Sequence, residues 1–351
     1  MAVQRLDTAC LLRPGDVEPS SPELEVVGTF NPGAIEVDGG VVLMVRVAEQ
    51  PRESQEGQVG LPRWEDGRVV VDWLAEGAVE PLDPRLTRVR ENGLLRLTMT
   101  SHLLVLRSGD GRSFDSASGD RFLPDSRYET YGVEDARITR LGGRYYITYV
   151  AVSRHGACTA LASTSDFRTF ERHGIIFPPE NKDVVLFPRK IGGRYTVLHR
   201  PNPHLHFGPP GIWLARSDDL ADWGDHAALH TGTSDWEVAR IGAGPAPIET
   251  ERGWLEMYHG KARAHGEQGV GTYSAACLLL DREEPGHVIA RSQEPVLAPE
   301  KDFERRGFVD NVVFPTGVVE RGDRLLVYYG ASDAYTGLVT FAREDLLASI
   351  R

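Results

Sequence analysis

The stretch Gly142-Gly143-RYYIT-Tyr149 recurs with variations at four other places in the chain, always in the same frame. Each copy runs from glycine through a short hydrophobic strand to a polar or basic side chain, or a tyrosine, at a fixed offset. The other copies are Gly39-Gly40-VVLMV-Arg46, Gly192-Gly193-RYTVL-His199, Arg252-Gly253-WLEMY-His259 and Arg321-Gly322-DRLLVY-Tyr329. Internal repetition determines architecture more directly than any single motif. The shared offset predicts a common axis on which these side chains converge: Arg46, Tyr149, His199 and His259.

A second repeated element follows the glycine-led strands and consists of Ser or Asp followed by an aromatic residue or leucine. Its clearest copies are Ser108-GDGRS-Phe114, Ser165-Asp166-Phe167-RT-Phe170 and Ser217-Asp218-Asp219-LAD-Trp223. Looser copies lie at 278–285 and after Arg343. Strand-like runs alternate with Gly, Asp and Pro turns throughout, and helical periodicity is confined to the segment after Arg343.

The repeats predict an all-β fold, a five-bladed β-propeller that uses residues 1–351 as a single domain. Short strands in repeats of about 50 to 70 residues are typical of blades that close radially. The gap between Arg46 and Tyr149 is longer than the others, which predicts an insertion at about residues 50–100. The alternative is a two-sheet sandwich, although its strands need not share a frame.

Composition narrows the class of partner. The chain has 351 residues and a formal charge of −12, which argues against a broad nucleic-acid or anionic-membrane surface. An anionic ligand must therefore meet a local basic cluster. The three cysteines, Cys10, Cys158 and Cys277, have no zinc or disulfide spacing and fit a reducing compartment. The N-terminal segment lacks a signal-like apolar run, so we expect a cytoplasmic enzyme with no metal site and no membrane partner.

Polar residues concentrate in a few segments that a propeller would bring to its central funnel, where unpaired charge is costly. These segments cover residues 30–34 with 45–49, 131–137, 180–188 with 199–201, and 242–250 with 258–260.

At these segments the chain resembles glycoside hydrolase family 130, the β-mannoside phosphorylases and related mannosidases. The resemblance covers nearly the whole chain in order. Its motifs are Asn31-Pro32-Gly33, Glu134-Asp135-Ala136-Arg137, Asn181-Lys182-Asp183, Leu186-Phe187-Pro188, His199-Arg200-Pro201, Gly242-Ala243-Gly244-Pro245, Asn311-Val312-Val313-Phe314-Pro315-Thr316-Gly317 and Tyr328-Tyr329-Gly330-Ala331-Ser332-Asp333. The family usually has proline where this chain has Ala136, a change that leaves the carboxylates untouched. The resemblance implies a five-bladed propeller, in agreement with the repeats.

The resemblance assigns the catalytic acid to Asp135, which would protonate the departing sugar, in the family through a substrate hydroxyl. Glycosidic cleavage needs such an acid and a nucleophile at the anomeric carbon. From the residues alone, Asp135 and Arg137 could equally form a pair that stabilises a turn, because ion pairs also perturb titration.

Basic residues in the matching motifs distinguish a phosphorylase from a hydrolase. An inverting hydrolase needs a second carboxylate to activate water, whereas a phosphorylase needs cations and donors that hold phosphate. The candidates for phosphate binding are Arg46, Lys182, Arg200 and His259. Each one singly could instead form a structural salt bridge. His199 and Arg200 cannot both face the axis of a regular strand, because neighbours alternate faces, so Arg200 is favoured.

The remaining candidates are sugar contacts. The resemblance assigns Asp333 to the hydroxyls of the mannosyl unit, and Asn31, Glu134 and Asp310 are further substrate-binding candidates. Glu237 and Glu249 are the carboxylates to consider if a hydrolytic base is needed. Trp236, Trp254 and Tyr258 could stack on sugar rings, although packing is the stronger expectation for Trp254.

The sequence therefore predicts an inverting phosphorylase that cleaves a terminal β-mannosidic bond with phosphate, giving α-mannose 1-phosphate and a shortened acceptor. No cofactor is implied, because phosphate is a substrate, and the partners are a β-mannoside oligosaccharide and phosphate, with a homo-oligomer possible. The alternatives are an exo-acting β-mannosidase of the same fold and a non-catalytic sugar-binding propeller. Linkage and acceptor depend on loops such as 50–100 and 202–212, where the resemblance is poorest.

Overall fold

The computed structural model describes residues 3–116, 119–202, 207–264 and 270–351, which are almost entirely β-structure. The strands of its first half are β1 (Asp7–Leu12), β2 (Leu24–Val37), β3 (Gly40–Pro51), β4 (Gln58–Glu65), β5 (Arg68–Ala75), β6 (Val79–Asp83), β7 (Leu86–Val89), β8 (Leu95–Leu97), β9 (Thr100–Ser108), β10 (Asp120–Phe122), β11 (Gly132–Leu141), β12 (Arg144–Ser153), β13 (Gly156–Thr164) and β14 (Glu171–Phe177).

The second half continues in the same way and contains the helical segments. Its strands are β15 (Asn181–Leu186), β16 (Tyr195–Pro201), β17 (Ile212–Ser217), β18 (Gly224–His230), β19 (Arg240–Ala243), β20 (Ile248–Thr250), β21 (Gly253–Lys261), β22 (Tyr273–Leu280), β23 (Val288–Arg291), β24 (Val313–Arg321), β25 (Arg324–Ala331) and β26 (Tyr335–Ala342). The α-helices are α1 (Asp302–Arg305) and α2 (Arg343–Ser349), and short 3₁₀ turns cover Pro14–Asp16 and Glu76–Ala78. Helix α2 begins where the sequence predicts helical periodicity. None of these described helices is long and apolar enough to cross a membrane.

Five antiparallel sheets account for most of the strands, and each has the same order. Their orders are β2-β3-β9-β10, β11-β12-β13-β14, β15-β16-β17-β18, β19-β21-β22-β23 (with β20 also on β21) and β24-β25-β26-β1. In every sheet the glycine-led strand is second, and it pairs with the edge strand that precedes it in the chain. The last sheet is completed by β1, so that Asp7 lies opposite Thr340.

Five hydrophobic clusters fill the spaces between these sheets, because alternate residues of a strand face opposite sides. In β25, for example, Leu325 and Val327 pack towards the fourth sheet, whereas Leu326 and Tyr328 pack towards the first. The other clusters join the first sheet to the second, the second to the third, and the third to the fourth. Each sheet therefore packs against the next one along the chain, and the fifth packs against the first.

Residues between β3 and β9 form the longest excursion from this pattern. Strand β3 pairs directly with β9, and the intervening chain forms a two-stranded sheet, β4-β5, and a three-stranded sheet, β6-β7-β8. The backbone N–H of Trp64 donates to the carbonyl of Thr130 at 2.7 Å, and the Arg96 guanidinium donates to the carbonyl of Leu61 at 3.0 Å. The first bond holds the β4-β5 sheet against the segment that precedes β11, and the second holds the two small sheets against each other.

The Ser/Asp segments form tight turns on the outer side of four sheets. In each turn one carboxylate oxygen accepts two backbone N–H bonds from the residues two and three positions later, at 2.7–2.9 Å. The carboxylates belong to Asp110, Asp166, Asp219 and Asp281. These backbone bonds lower the pKa of all four, that of Asp166 to about 2. The second repeat is therefore a structural turn.

Candidate functional site

The edge strands of the first three sheets carry the same β-bulge at the same place. Phe30, Glu134 and Lys182 lie opposite Arg46, Val150 and Arg200, and after each of these pairs three residues of the edge strand span two of its partner. A bulge bends the strand and re-aims side chains. The first residue of each bulge has left-handed backbone: Asn31 (φ 49°), Asp135 (φ 53°) and Asp183 (φ 54°). Asn and Asp tolerate this conformation better than most residues.

The bulge register corrects the predicted axis. Arg46, Val150 and Arg200 are equivalent, so Tyr149 and His199 are one residue out of frame and face the opposite side of their strands. Tyr149 is buried and donates its hydroxyl to Glu129 at 2.7 Å. His199 stacks on Phe177 with centroids 4.7 Å apart. The preference for Arg200 over His199 agrees with this geometry.

The bulges open onto a cavity of about 390 Å³. Seven of the nine candidate residues line it: Asn31, Arg46, Glu134, Asp135, Lys182, Arg200 and Asp333. His259 is fully buried behind the wall, against Phe314 with ring centroids 4.1 Å apart. Asp310 is exposed and does not line the cavity; its carboxylate accepts a bond from the backbone N–H of Gly307 at 3.2 Å.

Asp135 is held by neighbours from the first sheet. Its Oδ1 accepts a hydrogen bond from Asn31 Nδ2 at 2.8 Å and lies 3.3 Å from the Arg46 guanidinium. Arg46 also bonds Glu134 at 2.8 Å, with Ser101 fixing its Nε at 3.1 Å. Burial opposes the charge of Arg46, but the nearby carboxylates of Glu134 and Asp135 raise its pKa overall. One cation thus holds two adjacent carboxylates at the cavity wall.

Arg137 does not form the side-chain pair with Asp135 that the residues alone allowed. Its guanidinium donates to the backbone carbonyl of Asp135 at 2.7 Å and to that of Gly244 at 2.8 Å. The N–H of Gly244 in turn donates to Glu256 at 3.0 Å, and burial raises the pKa of this carboxyl well above its usual range. Arg137 therefore braces the bulge and leaves the Asp135 carboxylate free to face the cavity.

Positive charge gathers around Asp183, in the part of the cavity lining that we call the cationic wall. This buried carboxylate lies 3.0 Å from Arg200 and 3.4 Å from His259 Nε2. Burial opposes its ionisation, but the guanidinium groups of Arg200 and Arg137 lower its pKa overall. Burial lowers the pKa of His259 to about 3, so its imidazole is neutral near pH 7. Lys182 is half-buried, with Nζ 3.8 Å from Glu134.

Six charged residues that line the cavity were not among the sequence candidates: Asp83, Arg85, Glu180, Asp183, Arg240 and Lys261. The first two belong to the insertion, and Arg85 lies 3.3 Å from the Asp333 carboxylate. Burial raises the pKa of Asp333, although Arg85 and Arg46 oppose that rise. Burial, together with Arg240 and Arg85, lowers the pKa of Lys261 to about 8. The bulge position itself was a usable signal, since it also identifies Asp183.

Other candidates lie outside the cavity lining. Glu237 is buried and bonds Tyr258 at 2.7 Å and Arg291 at 3.0 Å. Glu249 pairs with Arg189 at 2.9 Å on the outer side. Trp254 is fully buried against Phe187, and Trp236 and Tyr258 likewise contact protein. In the loop 202–212, Asn202 lines the cavity, whereas residues 203–206 lie outside the described ranges.

Comparison with known proteins agrees with this fold. A family model described as beta-1,4-mannooligosaccharide phosphorylase matches residues 95–351. The beta-1,2-mannobiose phosphorylase of Listeria innocua is 37% identical over 95% of this chain and 94% of that protein. A 1,2-beta-oligomannan phosphorylase of Thermoanaerobacter is 37% identical over 68% of this chain and 78% of that protein.

Solved structures give the same result. The structure of the Listeria innocua enzyme with beta-1,2-mannobiose matches with a TM-score of 0.89 and 36% identity, covering 97% of this chain and 96% of that one. The similarities in sequence and in fold both point to the mannoside phosphorylases as the class of enzyme. The chain belongs to glycoside hydrolase family 130.

Proposed function

We propose that the protein is an inverting phosphorylase of terminal β-mannosides, producing α-mannose 1-phosphate and a shortened acceptor. The observation that carries this proposal is one cavity whose lining holds the Asp135 carboxyl together with the cations Lys182 and Arg200. The relatives named as mannobiose and oligomannan phosphorylases support the same activity. Because these two are named for β-1,2 linkages, β-1,2-mannobiose is the first substrate to test.

Asp135 is the proposed acid. It gives its proton, through a sugar hydroxyl, to the oxygen of the bond that breaks, while a phosphate oxygen attacks the anomeric carbon from the opposite face. The proton released by the new phosphate ester balances the one that the acid donates. Asn31 and Arg46 orient the carboxylate through the bonds described above. Arg137 fixes the backbone at the same residue.

The cationic wall is the proposed phosphate site. Lys182 and Arg200 face the cavity, and a dianion is held best by several charge-assisted donors. His259 acts behind them as a neutral support, since its Nε2 lies 3.4 Å from Asp183 and 3.5 Å from Arg200. Arg46 has contacts of both kinds: it is bonded to the carboxylates of Glu134 and Asp135, and it also lines the cavity as a cation.

The mannosyl unit occupies the remaining space in this proposal. Asp333, Asn31 and Glu134 supply acceptors and a donor for its hydroxyls from the cavity wall. Asp310 is exposed and does not line the cavity, so it has no sugar contact in this proposal.

Phosphorolysis is favoured over hydrolysis by where the other carboxylates lie. Glu237 and Glu249, the candidate bases for water, are engaged by arginines away from the cavity. Within the cavity, Glu134 is paired with Arg46, and Asp183 is paired with Arg200. A general base for water must be free to accept a proton, and ion pairing opposes this.

The same proposal includes the architecture. The cyclic contacts between five similar sheets support a five-bladed β-propeller, with the whole chain as one domain and β4–β8 as an insertion. A cytoplasmic location and a homo-oligomeric assembly remain predictions.

The test is the reverse reaction. Purified protein is incubated with α-mannose 1-phosphate and a panel of acceptors (mannose, glucose, N-acetylglucosamine), and phosphate release is followed. Release with at least one acceptor is expected, together with phosphate-dependent cleavage of the product. Free mannose formed at equal rates with and without phosphate would instead identify a mannosidase. Tight mannoside binding without any product would identify a binding protein.

A further inference from the structure

A second depression of about 370 Å³ lies beside the cavity, between the second and third sheets. We name it the Trp213 groove, after one of the two tryptophans that line it. We propose that the Trp213 groove binds the distal sugars of a β-mannooligosaccharide whose terminal mannose occupies the cavity. This inference rests on the proposed function and adds a preference for substrates longer than a disaccharide.

The floor of the groove is aromatic and uncharged. Phe177 stacks on His199 at 4.7 Å and on Trp223 at 5.7 Å. Burial and the neighbouring His226 lower the pKa of His199 to about 3, so its ring is neutral. Flat rings of this kind pack against the C–H faces of pyranose rings. No lysine or arginine is among the described residues that line the groove, so its lining does not favour an anionic ligand.

One polar group of the groove is available to hydroxyls. The indole of Trp213 is half-buried and has no hydrogen-bond or ring partner among the described residues. The side-chain oxygen of Asn181 also lacks a hydrogen-bond partner within that part of the chain, but it is buried below the surface of the groove. An open donor beside an aromatic floor matches a neutral, polyhydroxylated ligand.

The groove and the cavity share a wall. Glu180 lines both, and its carboxylate accepts a bond at 3.0 Å from Asn202, which also lines the cavity. Next to it, a Cβ on Gly156 would lie 3.0 Å from Pro179, so the backbone of β13 approaches this wall closely. An oligosaccharide leaving the cavity on this side therefore passes over Glu180 and onto the two tryptophans.

The test compares substrates of different length. Phosphorolysis of β-mannobiose and of β-mannotetraose, in β-1,2 and β-1,4 series, is measured for the wild type and for Trp213→Ala. Loss of one stacking platform should raise KM for the tetraose about tenfold and leave kcat and the mannobiose KM unchanged. Trp213→Phe should keep most of the affinity. Trp73→Ala, on β5 outside both sites, is the matched control and should change neither KM.

Direct binding separates this inference from the activity. Without phosphate, mannotetraose is titrated calorimetrically into wild type and Trp213→Ala, and weaker binding to the variant is expected. Equal binding of mannotetraose to the wild type and to Trp213→Ala would contradict the proposed role of the Trp213 groove. Equal changes in KM for mannobiose and mannotetraose would contradict it as well. Wild-type protein that binds the tetraose through Trp213 yet never forms mannose 1-phosphate would overturn the proposed function alone.

Discussion

Repeated acidic or amide side chains occur in two regions of this molecule, and they behave in opposite ways. At the outer turns, the carboxylates of Asp110, Asp166, Asp219 and Asp281 bond to the backbone that follows them. At the inner bulges, Asn31, Asp135 and Asp183 interact with side chains from other strands and sheets. The difference is the backbone: a turn offers its own N–H groups to the carboxylate, whereas a bulge turns the side chain away from its strand.

The largest expected effect separates these regions directly. Asp135→Asn removes the proposed acid and should lower kcat about 10²- to 10⁴-fold, because a positioned proton donor contributes that much. Asp166→Asn, at an outer turn, should leave kcat unchanged. Steady-state phosphorolysis and circular dichroism of both variants check this. Near-normal turnover by folded Asp135→Asn would show that Asp135 is not the catalytic acid.

The next effect concerns the cationic wall. Lys182→Ala should raise KM for phosphate about tenfold with a smaller effect on KM for the mannoside, because one charge-assisted contact to the dianion is lost. Lys190→Ala is the matched control, since Lys190 stacks over Tyr195 outside the cavity. A change confined to the mannoside KM would show that Lys182 contacts sugar and not phosphate.

A pH effect follows from Lys261. Its pKa of about 8 means that it is charged below that pH and loses its charge as the pH rises through 8. Lys261 lines the same cavity as Lys182 and Arg200, and we expect its charge to contribute to phosphate binding. The KM for phosphate should therefore rise severalfold between pH 7 and pH 9, in addition to any change caused by the ionisation of phosphate itself. Lys261→Arg keeps the charge and should flatten this rise. Identical pH profiles for the two proteins would place Lys261 outside the phosphate site.

The smallest effect is on stability at the outer turns. Asp166→Ala should lower Tm by about 2 °C at pH 7, because two backbone N–H bonds are lost. Its depressed pKa of about 2 stabilises the folded state above the usual value of 3.8, and this contribution disappears as the pH falls towards 2. The wild type and the variant should therefore converge in Tm at low pH. A constant difference would show that packing, and not the carboxylate, is responsible.

The repeats and motifs predicted the near all-β fold and seven of the residues that line the cavity. The errors come from register and from long-range packing. The glycine-led frame, counted from the glycines, nominated Tyr149 and His199 for the axis, although Arg200 was favoured over His199 because neighbours alternate faces. The bulges set the true register one residue later. Arg85 could not be predicted, because its approach to Asp333 depends on how the insertion folds back over the cavity.

The pairing of β1 with β26 has a consequence for synthesis of the chain. Strand β1 must wait for β26, which is synthesised much later, since Asp7 lies opposite Thr340. The first four sheets can assemble in order as they emerge from the ribosome, but the fifth stays open until β26 has been made. Until then the backbone edge of β1 that pairs with β26 is exposed. We therefore expect nascent chains to depend on chaperones at this step.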